Sequence, residues 1–150
     1  MPALTNEMTS VISRSLASRG EVLVDAHKIQ IRVSDLNTLS GLNWLNDEII
    51  NFYMQMIVSR AAESQERLPA TYAFTTFFYP TLIDRGYTAV RRWTKKVDLF
   101  SHAVLLVPVH HLGMHWCLAA VDLDRKKITY YDSMGGNNKV RVDPIIKARI

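Results

Sequence analysis

Residues 111 to 136, HLGMHWCLAAVDLDRKKITYYDSMGG, bring a histidine, the chain's single cysteine and an aspartate into one short stretch. Cysteine, histidine and aspartate are the parts of a nucleophilic triad: a thiolate attacks, an imidazole carries the proton, and a carboxylate orients the imidazole. Spacing tests that reading first. Cys117 lies two residues from His115, so on a strand the two share one face with Cα atoms ~6.5 to 7 Å apart and parallel side chains. A short cysteine so placed does not meet an imidazole nitrogen at ~3 Å. Its neighbours Trp116, Leu118 and Ala119 are apolar, and no helix N-terminus is there to lower its pKa. Cys117 therefore reads as a small buried hydrophobe rather than a nucleophile.

His115 and Asp132 pair differently. MHWCLAAVDL and KKITYYD read as two strands joined by a hairpin turning near Asp122 to Arg125. A turn centred between Leu123 and Asp124 sets His115 directly opposite Asp132, with Cβ atoms ~4.5 to 5.5 Å apart. His115, Cys117, Ala119 and Val121 then share a face with Ile128, Tyr130 and Asp132. A carboxylate there accepts the imidazole Nδ1 hydrogen, fixes the tautomer and stabilises the imidazolium. On pattern alone the plainer reading, two polar residues at strand ends, prevails. His110, His111 and His115 also hint at zinc, since His111 and His115 have the i, i+4 spacing of a helical metal motif. Pro108 and Gly113 oppose a helix and the motif's glutamate is missing, so no metal site is expected.

The elements that must hold these residues follow from periodicity. Residues 1 to 20 are rich in Ser and Thr and read as a mobile lead-in with room for a short helix. KIQIRVS alternates apolar and polar side chains as a half-buried strand does. Ser34 then looks like the N-cap of a short helix ended by Gly41. In LNWLNDEIINFYMQMIVSRAAESQER, Asn46 caps, Asp47 and Glu48 suit the positive end of the helix dipole, and Ile49, Phe52, Tyr53 and Met56 follow helical spacing. YAFTTFFYPTLIDRG is compatible with strand or with short helices. TAVRRWTKK reads as a helix with Thr88 at its cap. HAVLLVPV joins the two hairpin segments as a third adjacent strand, and VDPIIKARI reads as the opening of a helix with Pro144 near its start.

With 48% hydrophobic and 21% charged residues over 150 positions, the chain has the composition of one globular domain. No apolar run approaches the ~18 residues of a membrane span, and no secretory h-region opens the sequence. One cysteine and the absence of a leader suit the inside of a cell. The net charge of +4 favours acidic partners only slightly, because much of the excess sits in RRWTKK, a solvated helix face.

Four segments, LNWLNDEIINFYM, RRWTKKVDLF, LLVPV and HWCLAAVDLDRKKITYYDSMGG, closely resemble the sentrin/SUMO-specific proteases over roughly residues 21 to 136. These are Ulp-type cysteine peptidases. The resemblance implies an α+β, papain-like fold with N-terminal helices and a mainly antiparallel sheet. It implies that His115 is the catalytic histidine and Asp132 its orienting aspartate. Trp44 and Trp116 match the two tryptophans that cover a narrow tunnel for the modifier's C-terminal Gly-Gly, a tail thin enough to pass between two indoles. Asp47 matches a modifier contact, beside its role as a first-turn acid, and Arg92 and Met134 match further contacts; Trp93 reads as core. The loop PVHHLGMHW is one residue longer than the family form, and His27 stands where relatives carry an aromatic contact.

The family's nucleophile lies several dozen residues beyond the aspartate, in a Gly-x-x-Cys-Gly segment preceded by a glutamine. The 150 residues hold neither. The resemblance therefore implies that residues 21 to 150 are the N-terminal portion of the catalytic domain, that the chain alone is inactive, and that its activity belongs to deSUMOylation and precursor processing in the nucleus. SUMO or SUMO-conjugated proteins are the expected partners, with no cofactor, nucleic acid or membrane. Two other readings stay open: a non-catalytic modifier-binding module, and a peptidase for another ubiquitin-like protein.

Overall fold

The structure is a computed structural model that describes residues 3–18, 20–111, 113–135, 142, 143, 145 and 146. The chain divides into two compact units, Met1–Phe52 and Tyr53–Ile150. Among the described residues, no helix is long and apolar enough to cross a membrane.

In the first unit the Ser- and Thr-rich lead-in is a 12-residue helix, α1 (Asn6–Ala17), whose first turn is capped by the Thr5 hydroxyl accepting the Met8 N–H at 3.2 Å. The short helix for which this segment was expected to have room is present and runs for 12 residues. Strands β1 (Val22–Ala26) and β2 (Ile29–Arg32) form an antiparallel hairpin, Ala26 pairing with Ile29. Its two-residue turn puts His27 at φ 56 and Lys28 at φ 63, the left-handed pair that matches strand twist. His27 packs its ring edge on Phe52, centroids 5.5 Å apart.

Helix α2 (Val33–Asn37) begins before the expected cap. Arg32, not Ser34, is its N-cap, because the Asp35 carboxylate reaches back to accept the Arg32 N–H at 2.7 Å. The helix also ends well short of Gly41. Asp35 uses its other oxygen to accept from the Asn46 side-chain amide at 2.8 Å. Asn46 in turn caps α3 (Asp47–Glu63), accepting the Ile49 N–H at 3.1 Å. Ile49, Ile50, Met54 and Ala61 are buried along α3 and Phe52 is half-buried, while Tyr53 and Met56 are exposed, so the buried face keeps Ile49 and Phe52 of the expected spacing and loses the other two.

The second unit is built on a four-stranded sheet in the order β3-β4-β5-β6. β3 (Thr71–Ala73) runs parallel to β4 (Val104–His111), and β5 (His115–Asp122) and β6 (Lys127–Tyr131) follow antiparallel. The three expected strands are present and adjacent. The ambiguous stretch is both alternatives in succession, β3 and then α4 (Phe78–Arg85), which Gly86 terminates at φ 71. That turn makes Gly86, not Thr88, the cap of α5 (Tyr87–Val90), and residues 91 to 96 continue as turns rather than helix.

One sheet face carries Leu105, Val107 and Val109 opposite Val121, Ala119 and Cys117, with Tyr130 beyond them. Phe74, Phe78, Leu82, Val90 and Ile145 complete this core. Val142, Asp143, Ile145 and Ile146 are helical, as expected for that segment, while Pro144 lies outside the described residues. β3 pairs only as far as Leu106, and the buried Pro108 follows.

Candidate active site

Strand alternation decides which side chains meet at the end of the core. His111 and His115 close the β4–β5 hairpin as a direct pair, over a short loop in which Gly113 takes φ 70 and the Met114 N–H bonds the His111 carbonyl at 3.0 Å. His115 therefore occupies the last position of the face that buries Cys117, Ala119 and Val121.

The β5–β6 register is two residues from the expected one. Leu118 pairs with Tyr131 and Asp122 with Lys127, which continues to Cys117 rather than His115 opposite Asp132. The connection takes four residues, with Lys126 at φ 51 and the Asp122 carboxylate accepting the Arg125 N–H at 2.8 Å, so the turn is centred one residue later. A slip of two preserves the face. His115 and Asp132 become diagonal rather than direct neighbours, a separation long side chains span, and His115 Nε2 meets Asp132 Oδ1 at 2.7 Å.

The nitrogen is Nε2, not the expected Nδ1. A carboxylate reached diagonally meets the far side of the ring. The pair is sheltered: the Asp132 side chain is 3% exposed and that of His115 13%. Asp132 Oδ1 also accepts the Met134 N–H at 2.9 Å, and the Asp132 carbonyl receives the Gly135 N–H at 3.2 Å. The tight turn after β6 thus aims the carboxylate.

Cys117 is 8% exposed within the core. Its sulfur, a His115 ring nitrogen and an Asp132 oxygen lie within 4.8 Å of one another. These three are the described residues whose donor atoms cluster as a metal site requires; His110, His111 and His115 are not so grouped. Instead, His110 stacks on Trp116, centroids 3.9 Å apart and planes 7° from parallel.

Of the other expected residues, Met134 contributes its backbone to Asp132 while its side chain is exposed. Arg92 is exposed in the turns after α5. Trp93 is not core: it is 41% exposed, its ring edge on Phe78 at 5.9 Å. In the first unit, Trp44 is 61% exposed just before the cap of α3, and Asp47 is the first residue of that helix. A hydrogen bond with the Asp47 side chain, then partial burial, then the Asp47 charge hold the Glu48 carboxyl above its ordinary pKa. Sequence reading missed Asp35 and the His110 stack; an acid three residues into a short helix was the available signal for the first.

Residues 43–148 match the Ulp1 protease family, C-terminal catalytic domain. The chain belongs to that family. His115 and Asp132, with Trp44, Asp47, Arg92, Trp116 and Met134, all fall inside the matched span. A sentrin-specific protease of Caenorhabditis elegans is 49% identical over 138 residues, 91% of this chain and 20% of the relative. Human sentrin-specific protease 2 is 46% identical over 134 residues, 88% of this chain and 22% of that protein. The chain thus spans about a fifth of the length of these relatives. The structure of the C-terminal Ulp1 protease domain in complex with Smt3, the yeast ortholog of SUMO, matches at TM-score 0.85 and 34% identity, covering 99% of this chain and 67% of that one. The Ulp1 family is one of cysteine proteases, and the α+β fold is that of its catalytic domain.

Proposed function

We propose that this chain carries the base and orienter of a SUMO-specific cysteine protease that cleaves after the modifier's C-terminal Gly-Gly. The observation that carries the reading is the sheltered His115–Asp132 pair at 2.7 Å. With Nε2 held by the carboxylate, Nδ1 takes the proton of an attacking thiol and returns it to the leaving amine, and Asp132 stabilises the imidazolium between the two steps. By the family resemblance, Trp44 and Trp116 are each assigned to the glycine tail, and Asp47, Arg92 and Met134 to the body of the modifier. The names of the relatives and the Smt3 complex support SUMO as the partner.

In this reading Cys117 is core packing, the nucleophile is not among these 150 residues, and residues 21 to 150 are the N-terminal portion of the catalytic domain. Burial among Val109, Ala119 and Tyr130 supports that assignment, since a side chain packed in the core is poorly placed to reach a substrate. The expected result is saturable binding of SUMO by the chain and no turnover of a SUMO C-terminal fluorogenic substrate, because loss of a nucleophile forfeits several orders of magnitude in rate. Fusing a relative's Gly-x-x-Cys-Gly segment after Ile150 should restore cleavage; binding with no cleavage after fusion would favour a modifier-binding module instead. A second reading rests on the 4.8 Å grouping and makes Cys117 the nucleophile. Turnover by the chain itself, abolished in Cys117→Ser, would establish it.

A further inference from the structure

The acid–base pair leaves a soft donor beside it unused. Cys117 is buried on the face that ends in His115, where packing alone asks only for a small apolar side chain. We propose that His115, Cys117 and Asp132 form a three-ligand site for a zinc ion. The site goes beyond the function proposed above and does not depend on it.

Strand register brings the donors together. His115 and Cys117 are two residues apart on β5 and share one face, and the β5–β6 pairing continues to Asp132 opposite Cys117. The Cys117 sulfur, a His115 ring nitrogen and an Asp132 oxygen lie within 4.8 Å of one another. A tetrahedral zinc sits about 2.0 to 2.3 Å from such ligands and so holds them roughly 3.3 to 3.8 Å apart. Small side-chain movements, among them an opening of the 2.7 Å contact between His115 and Asp132, bring all three to one ion. A thiolate beside an imidazole and a carboxylate suits zinc, whereas calcium and magnesium take oxygen ligands throughout. Ligand carboxylates ordinarily keep a hydrogen bond outside the site, and Asp132 Oδ1 already accepts the Met134 N–H at 2.9 Å. The His115 side chain, 13% exposed, gives the approach from solvent. On binding, the ion replaces the thiol proton, which leaves to solvent. Three protein ligands leave a fourth position for water, and while the ion is held His115 does not serve as a base.

The test is metal binding by the full 150-residue chain in reducing buffer, with zinc followed by calorimetry and cobalt used as a spectroscopic probe. One zinc per chain is expected. Cobalt should give the visible bands of a tetrahedral site together with a thiolate-to-metal charge-transfer band in the near ultraviolet. Cys117→Ser should remove that band and weaken zinc about a hundredfold or more, since losing even an outer partner of a ligand costs about 10- to 100-fold. Asp132→Asn should also weaken zinc, whereas His110→Ala, which keeps all three ligands, should bind as the native chain does. Urea unfolding of each variant separates a lost ligand from a lost fold, and should Cys117→Ser not fold, the cobalt band of the native chain decides alone. No zinc uptake, a cobalt complex without the charge-transfer band, or unchanged zinc binding by folded Cys117→Ser would each overturn the site. Loss of binding in His110→Ala with retention in Cys117→Ser would place the ion on the hairpin histidines and overturn it equally. SUMO enters none of these readouts, so their failure and that of the proposed function are distinguishable.

Discussion

The end of the sheet and the start of α3 hold their proposed functional residues by different means. At the sheet, His115 and Asp132 continue a buried face whose alternation repeats every two residues, and packing behind them fixes their direction. At the helix, Trp44 and Asp47 flank a junction with little burial, fixed by polar links from Asp35 to Arg32 and Asn46, and from Asn46 to Ile49. A packed face tolerates an error in register that keeps its parity. A chain of side-chain hydrogen bonds is less forgiving, since each link depends on a particular donor meeting a particular acceptor at a short distance.

Four substitutions bear on this contrast. Phe78→Ala empties the middle of the core behind the sheet and should cost about 3–5 kcal/mol in urea unfolding. A loss below about 1 kcal/mol would mean the sheet face is not held by packing. Asp132→Ala removes a carboxylate that receives the imidazole and the Met134 amide, and about 2–3 kcal/mol is expected by the same measurement, with the His115 ring signals shifting. Asn46→Ala should cost about 1 kcal/mol through the lost cap. Its backbone chemical-shift changes should centre on Trp44 to Ile49, and changes spread across the sheet would contradict a local polar relay.

The smallest effect concerns pH. Glu48 holds its proton more tightly in the folded chain than the ordinary value of 4.5, chiefly through Asp47. Its contribution to stability is full below that value and is lost as pH rises through the raised folded value. Asp47→Asn should bring the Glu48 titration, followed by carboxyl NMR, down toward 4.5 and flatten this fall. An unchanged midpoint would remove Asp47 as the cause.

Much of the sheet was legible because apolar runs divided by polar joints leave few alternatives, and the His115–Asp132 pairing survived because a two-residue slip returns each side chain to its face. The slip itself came from Lys126, a residue whose type does not advertise a left-handed turn. The choice of Nε2 over Nδ1 depends on the diagonal geometry that the slip produced. Along α3, apolar residues on more than one side made the buried stripe ambiguous, and packing keeps Ile49 from the expected spacing while adding Ile50, Met54 and Ala61. Asp35 and Asn46 meet across 11 positions, and His110 meets Trp116 only once the β4–β5 register is known; neither pairing follows from local spacing.

Pro108 shows what a buried strand does with an amide that has no neighbouring strand to meet. Leu106 turns its carbonyl toward β3, where the Phe74 N–H meets it at 2.9 Å, and Pro108, two residues on, turns the same way after β3 has ended. Pro108 is fully buried, so an N–H there would be a donor shut away from both β3 and water. Proline carries none, and the strand leading to His110 and His111 runs past the end of β3 without an unpaired amide.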